Sequence, residues 1–207
     1  IVALACQAHA QLIRLGTPPF PTSSPIAGAS AISGNGQVIY GARGGQVPWR
    51  WTAAGGYVEL ARHPSYPSPG HLYYPRATTT TGDSVVGAAS EDALSYEPIT
   101  WTPWSPTPRT VVENRAHSGL TVTGMSDDAR TYTITDFFFD RAAGIAVDTV
   151  FTPIVSGAGS YAGGLSRDGR VVVGRTPSLD AFRWDAQQGL RTLARPAGVE
   201  GWAVADT

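Results

Sequence analysis

Ser33-Gly34-Asn35-Gly36-Gln37-Val38-Ile39-Tyr40-Gly41 and Ser166-Arg167-Asp168-Gly169-Arg170-Val171-Val172-Val173-Gly174 are two copies of one pattern. Each reads Ser-x-(Asn/Asp)-Gly, one polar residue, three β-formers, then Gly. Asn-Gly and Asp-Gly supply the positive φ angles that a tight hairpin turn needs. The β-branched run after the turn suits a buried strand. The closing Gly ends that strand or lets a neighbouring backbone come close.

Two weaker copies lie between them. Thr79-Thr80-Thr81-Gly82-Asp83-Ser84-Val85-Val86-Gly87 keeps the turn Gly, and Ser126-Asp127-Asp128-Ala129-Arg130-Thr131-Tyr132-Thr133-Ile134 replaces it by Ala129. The turn positions are 36, 82, 129 and 169, spaced 46, 47 and 40 residues apart. A second landmark follows each turn: Trp49-Arg50-Trp51-Thr52, Ile99-Thr100-Trp101-Thr102, Phe137-Phe138-Phe139-Asp140 and Phe182-Arg183-Trp184-Asp185. Its period of two turns one face inward. Trp51, Trp101, Phe139 and Trp184 are therefore expected at equivalent buried positions between adjacent sheets. Gly56, Pro106, Gly144 and Gly189 then read as turns, each leading to a short last strand. First strands such as Ala29–Ile32 and Leu120–Thr123 precede the hairpins.

Four short strands in 40 to 47 residues is the size of one β-propeller blade. A lone four-stranded sheet cannot bury both faces, but stacked copies can. The expectation is an all-β chain forming a partial β-propeller of about four four-stranded blades. A β-solenoid, or another repeated β architecture, is the alternative. The units run approximately 27–60, 70–113, 118–151 and 158–193, within a repeat domain covering 11–207. Residues 199–207 read as the start of a further unit. Leu12-Ile13-Arg14-Leu15 reads as a last strand without its own unit, and so as a latch closing a ring.

The first residues, Ile-Val-Ala-Leu-Ala-Cys-Gln-Ala-His-Ala-Gln, carry a small-x-small pattern at Ala8-His9-Ala10. Residues 1–10 read as the remnant of a secretory signal peptide, with Gln11 as the mature start. Cys6 is the single cysteine and lies inside that segment, so the repeat domain can form no disulfide and no cysteine metal site. Only 15% of residues are charged and the net charge is −1, which gives no electrostatic footprint for nucleic acid. No stretch is apolar and long enough to span a membrane as a helix. All fifteen basic residues are Arg, a composition that fits GC-rich bacterial codon usage.

Residues 165–193, including Ala181-Phe182-Arg183-Trp184, resemble the extracellular HAF-type repeat family of bacteria, and residues 29–60 follow the same pattern. Residues 70–160 match it in outline, with Ala129 in place of the turn Gly and Phe139 in place of the Trp. The resemblance implies export to the cell surface or medium. It often implies a larger protein with an autotransporter barrel or a sorting signal. It carries over no catalytic residues.

The remaining chemistry is sparse. His63, His71 and His117 lack metal-ligand spacing, and no nucleophile elbow occurs. Asp127, Asp128 and Asp168 have a sufficient role in tight turns and lack the acidic run of a calcium loop. No catalytic, cofactor-binding or metal-ligating residue is assigned, and no cofactor is implied. One stretch exceeds the needs of the repeat: Ser65-Tyr66-Pro67-Ser68-Pro69-Gly70-His71-Leu72-Tyr73-Tyr74-Pro75. Tyr66, His71, Tyr73 and Tyr74, with Trp104, are the candidate ligand contacts, since tyrosine offers a flat apolar face with a polar tip. The competing reading is a linker whose tyrosines pack on adjacent sheets.

Three functions are compatible with these features. The chain is a non-catalytic exported interaction or structural module, an exported hydrolase or lyase acting on carbohydrate, or an autotransporter passenger. The partner is unknown, with carbohydrate or a surface protein the candidates. A cluster of carboxylates and Arg at the centre of the ring separates the enzyme from the module.

Overall fold

The computed structural model describes residues 15–16, 18–20, 27–68, 70–91, 96–103, 105, 107–112, 119–137 and 141–193. The described residues form sixteen strands and no helix. The first sheet holds β1 (Ala27–Ile32), β2 (Val38–Arg43), β3 (Val47–Thr52) and β4 (Gly56–Glu59). The second holds β5 (Leu72–Thr78), β6 (Val85–Ser90), β7 (Tyr96–Trp101) and β8 (Arg109–Thr110). The third holds β9 (Leu120–Met125), β10 (Thr131–Asp136), β11 (Ala142–Val147) and β12 (Val150–Ser156). The fourth holds β13 (Tyr161–Leu165), β14 (Val171–Arg175), β15 (Ala181–Asp185) and β16 (Gly189–Thr192). Every sheet is an antiparallel meander in chain order.

The four hairpin turns share one construction. Gly36, Gly82, Ala129 and Gly169 all have positive φ, at 70°, 74°, 55° and 74°. In the first sheet the Ser33 hydroxyl donates to Asn35 Oδ1 (2.7 Å), which also accepts from Gln37 N–H, while Val38 N–H donates to Ser33 Oγ (2.9 Å). Ser126 with Asp128 and Ser166 with Asp168 repeat the arrangement. The Ser-x-(Asn/Asp) spacing is thus a closed set of turn hydrogen bonds, and Asp128 and Asp168 are occupied by it.

Each first strand carries a bulge at the same place. Ser30, Arg76, Thr123 and Gly163 have no partner in the register with the second strand. Each lies six residues before the positive-φ turn position. A bulge leaves one residue outside the ladder and bends the strand. The bend brings a carbonyl onto the closing glycine. A Cβ on Gly41 would stand 2.0 Å from the Gly28 oxygen, one on Gly87 2.3 Å from that of Tyr74, and one on Gly174 2.1 Å from that of Tyr161.

Cores lie between successive sheets. Val38 and Tyr40 pack on Tyr73, Val85, Ile99 and Trp101. Val86, Val111 and Val112 pack on Val122, Tyr132 and Ile134. Ala143 and Val155 pack on Ala162, Val172 and Phe182. The first strands β1, β5, β9 and β13 neighbour one another in succession, forming an inner wall.

The structure corrects the reading of the aromatic landmark. In the first, second and fourth copies position 49, 99 or 182, not 51, 101 or 184, is the fully buried one, because it pairs with the closing glycine. The Trp49 and Phe182 rings lie over Gly41 and Gly174, where a side chain would collide with them. Trp101 is buried, but Trp51 and Trp184 are half-exposed. In the third sheet Phe137 follows β10 and is exposed; the third strand there is Ala142–Val147. Gly144 sits inside that strand, packed against the Thr152 carbonyl, and is not a turn residue. The third sheet therefore extends to Ser156, beyond the boundary at 151. Phe138, Phe139, Asp140, Pro106, residues 1–14 and 199–207 lie outside the described residues, and so do the signal remnant, most of the latch and the opening of a further unit. Next to the latch, the Gly16 carbonyl accepts a hydrogen bond from the Tyr57 hydroxyl (3.1 Å).

Candidate binding cleft on the inner wall

The turns between first and second strands meet at one end of the inner wall. Asn35 N–H donates to the Thr80 carbonyl, and Asp127 N–H to the Arg167 carbonyl. Thr80 donates to the Asp127 carboxylate through both N–H (2.6 Å) and hydroxyl (2.8 Å), and Arg167 Nη1 stands 3.5 Å from the same group. Partial burial raises the Asp127 pKa, but the Thr80 bonds and the Arg167 charge outweigh it and the net shift is downward. Arg167 also donates to the Thr78 carbonyl (3.1 Å). Asp127 and Arg167 are committed to joining turns: the carboxylate stays ionised and is no proton donor at neutral pH.

Each of two clefts at this end holds an ion pair. Arg130 makes a bidentate bond to Asp148 in one. Arg183 bonds Asp185 in the other, where Asp185 also accepts from the N–H groups of Gln187 and Gln188.

A third cleft, of about 370 Å³, lies between the first and second sheets. Gly28, Ala29 and Ser30 of β1, Ala42, Gly44 and Gly45 around the end of β2, and Tyr73–Arg76 of β5 line it. Its floor is small because β1 and the turn after β2 carry Gly, Ala and Ser. The two sheets are tied there by Tyr73 N–H donating to the Gly45 carbonyl. Both bulge residues, Ser30 and Arg76, open into it. Arg76 is exposed, and its guanidinium stands 5.8 Å over the Tyr74 ring. Among the described residues it has no carboxylate and no hydrogen-bond acceptor. Tyr74 is half-buried and meets Tyr96 edge-on at 5.8 Å.

The structure divides the residues singled out in the sequence. Tyr66 and Tyr73 are buried and pack in the core, and Tyr73 also borders the cleft. Tyr73 donates to the Tyr66 carbonyl, accepts from His63 N–H and packs 6.3 Å from Trp101. Burial, then a hydrogen bond to Glu97, pushes the Tyr66 hydroxyl far above its ordinary pKa. Around it the Thr110 hydroxyl donates to Glu97 Oε1 (2.5 Å) and lies 3.4 Å from His63 Nε2. His71 is half-exposed and meets the Tyr66 ring edge-on, outside the cleft lining. Of the five candidates Tyr74 alone stands in the cleft with an accessible face; Trp104 lies outside the described residues. Ser30 and Arg76 were missed. Their fixed offset of six residues before the turn position was the signal that marked them.

No protein family and no curated protein matches the sequence. Solved structures do. The TolB-like protein of Agrobacterium tumefaciens is similar at 15% identity and a TM-score of 0.57, over 83% of this chain and 63% of its own. TolB of Acinetobacter baumannii is similar at 14% identity and a TM-score of 0.56, over 85% of this chain and 45% of its own. A structure from work on two prolyl endopeptidases gives 14% identity and a TM-score of 0.55, over 83% of this chain and 29% of its own. The chain thus spans less than two thirds of the proteins it matches. At these identities the likeness is one of fold, and it agrees with the sheets described above: four consecutive blades of a β-propeller.

Proposed function

We propose that this chain is part of an exported, non-catalytic bacterial propeller protein of the HAF-type repeat family, serving as an interaction module at the cell surface. The observation that carries this reading is Arg76: an uncompensated cation beside an aromatic face, in a cleft whose described lining holds no carboxylate. Such a site is furnished to hold a ligand. Acid–base hydrolysis of a glycoside uses two carboxylates flanking the bond. The hairpin carboxylates Asp127, Asp128 and Asp168 are already engaged in turns. Export rests on the segment before Gln11 and on the repeat resemblance.

The test is to incubate the purified chain with whole bacterial cells and with insoluble polysaccharides, measuring retained protein and released sugar together. Retention without released product, reduced in Tyr74→Ala and Arg76→Gln, is the expected result. Steady release of soluble sugar would replace the module by an enzyme.

A further inference from the structure

The inner-wall cleft has a chemistry more specific than a general contact surface. An exposed arginine without an anionic partner is a recognition group in waiting: its planar fork matches a carboxylate through two parallel hydrogen bonds. Arg76 is held by its bulge, so its backbone is fixed to the ladder on both sides, at Pro75 with Gly87 and Ala77 with Val86. Its guanidinium is set over Tyr74. Across the cleft the bulge in β1 presents the exposed Ser30 hydroxyl. Between them the floor is Gly28, Ala29, Gly44 and Gly45, small residues that leave an open, mostly apolar surface with no pocket for a particular side chain.

These features select among anionic ligands. A peptide side chain anchors best in a pocket of its own shape, and this floor has none. A sugar ring is broad and shallow, presents C–H groups to an aromatic face, and spends its hydroxyls on exposed polar groups. The volume of about 370 Å³ is at the small end of ligand sites, enough for one or two rings. We propose that the cleft binds a carboxylated sugar, a uronic-acid unit of an acidic polysaccharide, with its carboxylate on Arg76 and its ring against Tyr74. This rests on the interaction-module reading and gives it a ligand class.

Gly28 offers a control of position. A Cβ there meets nothing within 4 Å and its φ is not in the left-handed region, so a large side chain fills the cleft without disturbing the sheet. The experiment is calorimetric titration of the chain with tetragalacturonic acid, with its full methyl ester, and with a tetrapeptide bearing a free C-terminal carboxylate. The acid should bind at least tenfold more tightly than the ester, which keeps the rings and loses the charge. Arg76→Gln should lower binding of the acid at least tenfold, and Gly28→Phe should abolish it while thermal unfolding stays within a few degrees of the parent. Raising salt should weaken the acid and leave the ester unchanged. Equal binding of acid and ester, unaltered binding in Arg76→Gln, or tighter binding of the peptide overturns the proposal. If no tetragalacturonate binds while Arg76-dependent retention on cells persists, the sugar assignment falls and the interaction module stands. Loss of both removes both.

Discussion

At the residue scale, the repeat is written in glycines with two different duties. Gly36 is required by conformation alone: φ is +70° and a Cβ would meet nothing within 4 Å. Gly41 is required by space alone: a Cβ would lie 2.0 Å from the Gly28 carbonyl and 2.4 Å from the Trp49 ring. The two substitutions therefore separate the terms. Gly36→Ala should cost about 1–2 kcal/mol, the penalty for an L-residue in the left-handed region. Gly41→Ala should cost about 3 kcal/mol or more, because backbone and a buried indole must both move. Urea unfolding of the two variants tests this. A Gly41→Ala variant no worse than Gly36→Ala would show that the bulge relaxes freely, and that the glycine is not a seat for the ring. Ala129 marks what the sequence can hide: its φ of 55° shows that the turn keeps its geometry when the glycine is lost.

At the scale of the element, the third strand of each blade presents two apolar positions two residues apart, and only one is the anchor. Phe182 pairs with Gly174 and is fully buried between the third and fourth blades; Trp184 pairs with Val172 and is half-exposed. Phe182→Ala should cost about 3–5 kcal/mol as a buried aromatic truncation, and Trp184→Ala clearly less. Denaturant midpoints of the two variants decide it, and the reverse order would mean that the indole, larger by volume, carries the interface. Sequence gave no means of ranking these positions, since period two assigns both to the same face and says nothing of how far the next blade reaches over it. The same limit explains the third blade. Phe137-Phe138-Phe139 is the strongest apolar run near the expected spacing, yet the strand is Ala142–Val147, whose small residues are buried instead. Small side chains make a weak periodic signal and still pack closely. The hairpins, by contrast, were legible in all four copies, because a positive-φ turn restricts residue choice locally. The cleft was not, because it arises where bulges of two blades come together; of its lining, Tyr73, Tyr74 and Pro75 belong to a stretch that stood out.

At the scale of the molecule, stability should follow the order in which blades are sandwiched. The second blade packs against the first through Tyr73, Val85 and Ile99 and against the third through Val86, Val111 and Val112. The third likewise has a core on each side. Among the described residues the first and fourth blades each have one. In a repeat array, stability is close to a sum of unit and neighbour terms, so a unit with two filled interfaces opens last. Every residue of β6 is buried, whereas β16 is largely exposed along its length. Amide hydrogen exchange under native conditions should therefore find the greatest protection in β6 and β10 and markedly less in β4 and β16, with the inner wall of the second blade, including the backbone around Arg76, among the slow group. On that expected ranking the cation stands on a protected strand of the second blade, so ligand binding should change exchange at the β1 side of the cleft more than at β5. Protection in β16 equal to that in β6 would show that the outer strand of the fourth blade is held by partners outside the described residues, and the nearest-neighbour account of this chain would have to include them.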